Sequence, residues 1–178
     1  NGSLGPGLAE DLLSEAEFAF GKAFELGGDP TPALLGLLNT RRQAGDAEGA
    51  WQAGQWLFER VEAQLQAEEY VASNTLLAIG TAGLDFTVAS INAGDPAPAS
   101  AYKATAALEN AMSMGVLEAA QPLSDLYAWN GEVELALTTL CTGLELNPDD
   151  AVLWGRMQNL GGKNRNEQVK HLELLRSD

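Results

Sequence analysis

Residues 120–150, AQPLSDLYAWNGEVELALTTLCTGLELNPDD, contain the pattern that decides the fold. Leu123 and Tyr127 are four residues apart, a spacing that places two side chains on one face of an α-helix. Gly131 can end that helix, and Ala136 lies in a second apolar stripe of the same period. The closing proline and aspartates are residues that end one helix and begin another. The stretch therefore predicts two antiparallel helices joined by a tight turn.

The spacings of this helix pair recur upstream. Gly45 precedes Ala50 by five residues, as Gly131 precedes Ala136, and Ala16 lies 34 residues before Ala50. Two independent spacings that agree indicate an internal repeat. The pattern resembles the tetratricopeptide repeat (TPR), a 34-residue helix–turn–helix unit. In that family a small residue early in the second helix lets two helices approach closely, and the resemblance assigns this role to Ala136.

The resemblance implies an all-α fold, a right-handed α-solenoid of antiparallel helix pairs. Apolar residues recur at three and four along the whole chain, so about nine helices and no strand are predicted. Gly80 and Gly83 each cost about 1 kcal/mol relative to Ala inside a helix, which predicts a kink or break there. The predicted helices are 8–26, 31–43, 46–65, 67–92, 97–113, 116–129, 132–146, 150–160 and 164–176.

The length of 178 residues fits one domain. We expect a disordered or expression-derived leader over 1–7 and a single TPR-like domain over 8–178. The repeat period fails over 65–115, so an irregular unit is predicted there. The last helix, 164–176, is predicted to be the polar-faced cap that stacked repeats require.

The chain is strongly acidic, with 25 acidic and 10 basic residues and a net charge of −15. Nucleic acid and anionic lipid surfaces are therefore excluded as partners, because both require a cationic face. No consecutive apolar run reaches the length of a membrane helix, so no direct membrane insertion is expected. The Ala/Gly/Leu-rich, Lys-poor composition favours a bacterial protein, and the many acids beside few lysines also suit a saline habitat. The localisation is left open for a soluble fragment, with cytoplasm and periplasm as the two alternatives. Residues 151–178 are net basic, which suits either a solvated last helix or a docking end for an acidic surface.

The sequence predicts no enzyme and no catalytic, cofactor-binding or metal-binding residue. Cys141 lies on an apolar stripe and is expected to be a buried structural thiol, and His171 is expected on the surface. One cysteine and one histidine cannot form the usual zinc sites. The paired acids 10–11, 68–69 and 149–150 begin predicted helices, where capping and the helix dipole explain them.

The family resemblance implies a binding module whose first helices line a concave groove for an extended or helical peptide. We predict a non-enzymatic scaffold or adaptor that binds a protein segment and takes part in bacterial assembly or biogenesis. We expect no cofactor, and we expect the partners to carry cationic patches. One alternative is a self-associating array that forms homo-oligomers, and another is a helical-fold enzyme. Carrying the groove-facing pattern onto matching positions predicts these binding residues: Asn39, Arg42, Gln43, Gln121, Asp125, Trp129, Arg156, Asn159 and Lys163.

Overall fold

The computed structural model describes residues 18, 21–22, 25, 29–67, 69–96, 98–162 and 165–177. Within these ranges the chain forms eight α-helices and one short 3-10 turn, with no strand, which confirms the all-α class. The predicted leader, 1–7, and most of the predicted helix 8–26 lie outside the described residues. The helices are α1 (Thr31–Ala44), α2 (Ala47–Gln66), α3 (Ser73–Asn92), α4 (Ala101–Ser113), α5 (Ala120–Trp129), α6 (Val133–Leu146), α7 (Ala151–Asn159) and α8 (Arg165–Ser177).

Helix α3 departs from the predicted helix 67–92 in two ways. It begins at Ser73, because residues 69–72 form a non-helical connection whose Val71 is buried in the core. It is also continuous through Gly80 and Gly83, so the predicted kink or break is wrong. A Cβ at Gly83 would lie 2.3 Å from the Cβ of Ala104, and the two glycines therefore allow α3 to pack closely on α4.

The helices follow a regular packing order. From α1 to α7 each helix contacts the next along the chain, and successive odd-numbered helices also contact one another. The even-numbered helices make the corresponding contacts between α2 and α4 and between α6 and α8. By length and mean hydropathy (1.2), α3 is the one described helix that could cross a membrane, and it packs against α1, α2, α4 and α5 as a core helix does.

Corresponding positions of the helix pairs share the same local structure. Gly45 and Gly131 both have φ of 80°, a conformation that favours glycine and turns the chain from one helix into the next. In both turns the amide after the glycine donates to a carbonyl five residues earlier. Ala50, Ala104 and Ala136 are each the fourth residue of an even-numbered helix, and each is fully buried.

Asp150 caps the start of α7, as the sequence predicts for the second member of the pair 149–150. The Oδ1 atom of Asp150 accepts hydrogen bonds from the amides of Val152 (2.9 Å) and Leu153 (3.1 Å). These amides have no partner within the helix, so the carboxylate caps it. Of the other predicted acid pairs, 10–11 and the first member of 68–69 lie outside the described residues. Glu69 lies four residues before α3, so the prediction that this pair begins a helix is wrong.

Helix α8 closes the described part of the fold at its C-terminal end. It packs against α6 through Leu172, which is buried in a cluster with Leu137, Leu140 and Met157. Most of its remaining described residues are exposed or half-buried. This amphipathic distribution agrees with the predicted polar-faced terminal helix.

Candidate functional site

A cavity of about 690 Å³ lies between α3, α5 and α7. These three odd-numbered helices each contribute one face to its wall, and the residue that follows α7 completes it. Five of the nine predicted binding residues line it, from two helices that are 22 or more positions apart in sequence. They are Gln121, Asp125 and Trp129 from α5 and Arg156 and Asn159 from α7.

The other four predicted residues do not line this cavity. Arg42 of α1 lies beside it, because its Nε donates a 2.8 Å hydrogen bond to Oδ2 of Asp85, which does line the wall. Asn39 and Gln43 are exposed on α1 outside the lining. Lys163 lies outside the described residues.

Helix α3 supplies lining residues that the sequence analysis missed. Leu84, Asp85 and Val88 face the cavity, one helical turn apart. The repeat register fails over 65–115, so no groove position could be assigned there. One signal was nevertheless present, because Asp85 is the only charged residue among the 20 residues of α3. A lone carboxylate in an otherwise uncharged helix indicates a specific partner, here Arg42.

Asp125 is the central ionisable group of the cavity wall. Its Oδ2 lies 3.0 Å from Nη2 of Arg156, and the side chain of Gln121 hydrogen-bonds to it. Burial raises the pKa of Asp125, although the charge of Arg156 and the hydrogen bond from Gln121 act in the opposite direction. The loss of water around this carboxylate therefore outweighs the help from its neighbours.

The cavity has an apolar end. Val88, Ala128, Trp129 and Leu160 lie near the C-terminal ends of α3, α5 and α7. Alternate helices of an antiparallel series run parallel, so these ends meet on one side of the cavity. Trp129 is 48% exposed there, so about half of its large apolar indole surface is not packed against the core.

The cysteine and the histidine both lie beside Glu145. Cys141 is half-buried rather than buried as predicted, and burial together with the nearby Glu145 raises its pKa to about 11. It is therefore a poor thiolate at neutral pH. His171 is exposed as predicted, and its Nε2 lies 3.5 Å from Oε1 of Glu145. The part of the chain that the structure describes contains no cluster of three or more metal-ligating side chains.

Comparisons of the chain with protein-family models, with curated proteins and with solved structures find no match. The residues of the cavity, and the helices that bring them together, therefore indicate what the chain can bind.

Proposed function

We propose that this chain is a non-enzymatic, TPR-like binding module that holds an extended segment of a partner protein in the cavity between α3, α5 and α7. The observation that carries the proposal is that three successive odd-numbered helices contribute to one cavity beside the half-exposed indole of Trp129. A right-handed solenoid has this property, because its first helices stack along one face.

The packing order supports the repeat architecture. From α1 to α7 each helix contacts the next, and the odd-numbered helices also contact one another in succession, which is how stacked helix pairs bury a continuous core. Buried alanines recur at the fourth position of α2, α4 and α6, which suits a close approach within each pair. These two features agree with the family resemblance of the sequence, and they are the basis on which we propose it.

The chemistry of the cavity suits a polypeptide. The side-chain amides of Gln121 and Asn159 can each donate and accept hydrogen bonds, as a peptide backbone requires. Trp129 can anchor an apolar side chain, and tryptophan and arginine are the residues most often found at the energetic centres of interfaces. The volume of about 690 Å³ lies within the usual range of binding pockets.

The charge of the chain narrows the class of partner. A net charge of −15 repels the phosphates of nucleic acids and favours proteins with cationic patches. The scaffold or adaptor role, and its place in bacterial assembly or biogenesis, belong to this proposal on the strength of the same family resemblance.

The test is selection of peptides from a displayed random dodecapeptide library by the whole 178-residue chain. Trp129→Ala should abolish capture of the selected peptides, because it removes the apolar anchor from the cavity. Trp56→Ala is the matched control, since Trp56 is equally exposed (50%) but lies on α2 outside the cavity. Neither change should lower the melting temperature by more than a few degrees.

Selected peptides that bind both variants as well as the unmodified chain would overturn the proposal. Equal loss of binding in both variants would show nonspecific association with exposed indoles, and would overturn it as well.

A further inference from the structure

The two sides of the cavity carry opposite charges. On the α3 side, the Asp85 carboxylate is 46% exposed beside its ion pair with Arg42. On the α7 side, the Arg156 guanidinium is 45% exposed beside its ion pair with Asp125. A carboxylate has two acceptor oxygens and a guanidinium five N–H donors, so both groups can bind a further partner. A ligand therefore meets an available anion on one side and an available cation on the other.

The carboxylate of Asp125, which lies between these two groups, is already paired within the protein. Asp125 on α5 is only 16% exposed and is held by Arg156 and Gln121. A partly buried carboxylate that is already paired with a cation of the protein gains little binding free energy from a cation of the ligand. The cost of removing water from the ligand's cation offsets the attraction. Across the helices from α3 to α7, the α5 wall between the two charges is therefore left to amide contacts and to Trp129, the exposed anchor at the apolar end.

The separation of α3 and α7 sets a length scale. Packed helices lie about 8–10 Å apart, so two steps from α3 through α5 to α7 span roughly 16–20 Å. An extended chain advances about 3.3–3.6 Å per residue, which places ligand side chains at the two sides about five residues apart.

We propose that the cavity selects an extended peptide segment with a basic and an acidic side chain about five residues apart and an apolar side chain between them. The basic group pairs with Asp85, the acidic group pairs with Arg156, and the apolar group packs on Trp129. This inference rests on the proposed function, since it names the class of peptide that the same cavity binds.

The experiment begins from the dodecapeptides that the whole chain selects. They should be enriched in opposite charges four to six positions apart around an apolar residue. In fluorescence anisotropy, changing the basic residue of a selected peptide to Gln should weaken binding about 2- to 5-fold, the range of exposed ion pairs. Asp85→Asn should remove that difference, whereas Asp95→Asn, an exposed acid outside the cavity, should preserve it.

The acidic residue of the peptide is tested with the double variant Asp125→Asn/Arg156→Gln. Changing both members of the internal pair leaves no uncompensated carboxylate, so the variant should fold. It should remove the effect of changing the acidic peptide residue to Gln and leave the effect of the basic one.

The outcomes separate this inference from the proposed function. Peptides that require Trp129 but carry charges of one sign, or none, overturn the inference and leave the binding module intact. The inference is also overturned if changing the charged peptide residues to Gln weakens binding equally in the unmodified chain and in the Asp85 and Arg156 variants. Peptides whose capture does not depend on Trp129 overturn both.

Discussion

The carboxylate of Asp125 lies deeper in the fold than the guanidinium that neutralises it, with side-chain exposures of 16% for Asp125 and 45% for Arg156. Asp125 is therefore the structural member of the ion pair, and Arg156 is the member that a ligand can reach. Asp125 depends on Arg156, because an ionised carboxylate removed from water destabilises the fold unless a cation neutralises it. The exposed guanidinium of Arg156 keeps N–H groups that can donate hydrogen bonds to a ligand.

The first prediction concerns this dependence. Arg156→Ala should lower the free energy of unfolding at pH 7 by about 1–3 kcal/mol, the cost of an unpaired buried polar group. Urea denaturation measures it. Asp125→Asn/Arg156→Gln should lose less, because no charge is left unpaired.

The pH dependence of Arg156→Ala provides a check. Removing the cation raises the already elevated folded-state pKa of Asp125 further, so the folded form binds its proton more tightly than the unfolded form. Stability then falls as the pH rises through that pKa and recovers on acidification. The deficit of Arg156→Ala relative to the unmodified chain should therefore shrink as the pH is lowered from 7 toward the ordinary pKa of aspartate, about 3.9. A deficit independent of pH would exclude this explanation.

Most helix bounds could be predicted from the sequence, because glycine, proline and aspartate mark the turns between apolar stripes of helical period. The error at Gly80 and Gly83 has a physical cause. Helix propensity is a local cost of about 1 kcal/mol, and it was outweighed by the close packing of α3 on α4 that a missing side chain permits. A sequence does not show which neighbour lies across from a glycine.

The second prediction concerns the buried alanines. Ala136→Leu should lower the free energy of unfolding by about 1–3 kcal/mol, because its site in α6 is fully buried and cannot accept a larger side chain without strain. Ala104→Leu should behave alike, since Ala104 lies at the corresponding position of α4 and a Cβ at Gly83 would already be too close to it. Thermal or urea denaturation measures both.

Thr142→Leu is the control for Ala136→Leu, because Thr142 lies on the same helix and is exposed. It should change stability by less than about 0.5 kcal/mol. Equal effects at positions 136 and 142 would mean that the alanine does not lie at a close helix contact.

The candidate cavity was predictable only where the repeat register could be read. The spacing from Gly131 placed Asp125 and Trp129 on the face of α5 that lines the cavity. The contribution of Asp85 could not be assigned, because no spacing relates α3 to the other helices. Its pairing with Arg42 joins residues 43 positions apart, a distance that only the packing of α1 on α3 explains.

The third prediction concerns alkaline pH. The Tyr127 hydroxyl donates a hydrogen bond to the Glu109 carboxylate, and the pKa of Tyr127 is raised by burial, by this bond and by the negative charges of Glu109 and Glu132. In the unfolded chain tyrosine ionises near pH 10. Above that pH the folded form retains the proton that the unfolded form loses, so stability should fall as the pH rises.

Urea denaturation at pH 8 and at pH 10.5 should show that Tyr127→Phe loses less stability over this interval than the unmodified chain. Tyr70→Phe is the control for the loss of a tyrosine hydroxyl, because Tyr70 is 83% exposed and the hydroxyl of Tyr127 is buried against Glu109. At pH 8 Tyr127→Phe should cost about 0.5–1.5 kcal/mol for the lost hydrogen bond. Parallel pH profiles for all three proteins would contradict the prediction.

The fourth prediction uses two helical glycines with opposite surroundings. A Cβ at Gly83 would lie 2.3 Å from the Cβ of Ala104 and 2.8 Å from the ring of Trp51, whereas one at Gly155 in α7 would have nothing within 4 Å. Alanine gains up to about 1 kcal/mol over glycine from helix propensity at either position. Gly155→Ala should therefore stabilise the chain by that amount. Gly83→Ala should instead destabilise it by about 1–3 kcal/mol, because α3 and α4 must separate to admit the methyl group. Urea midpoints give both values, and equal stabilisation by the two changes would mean that these helices are not in close contact.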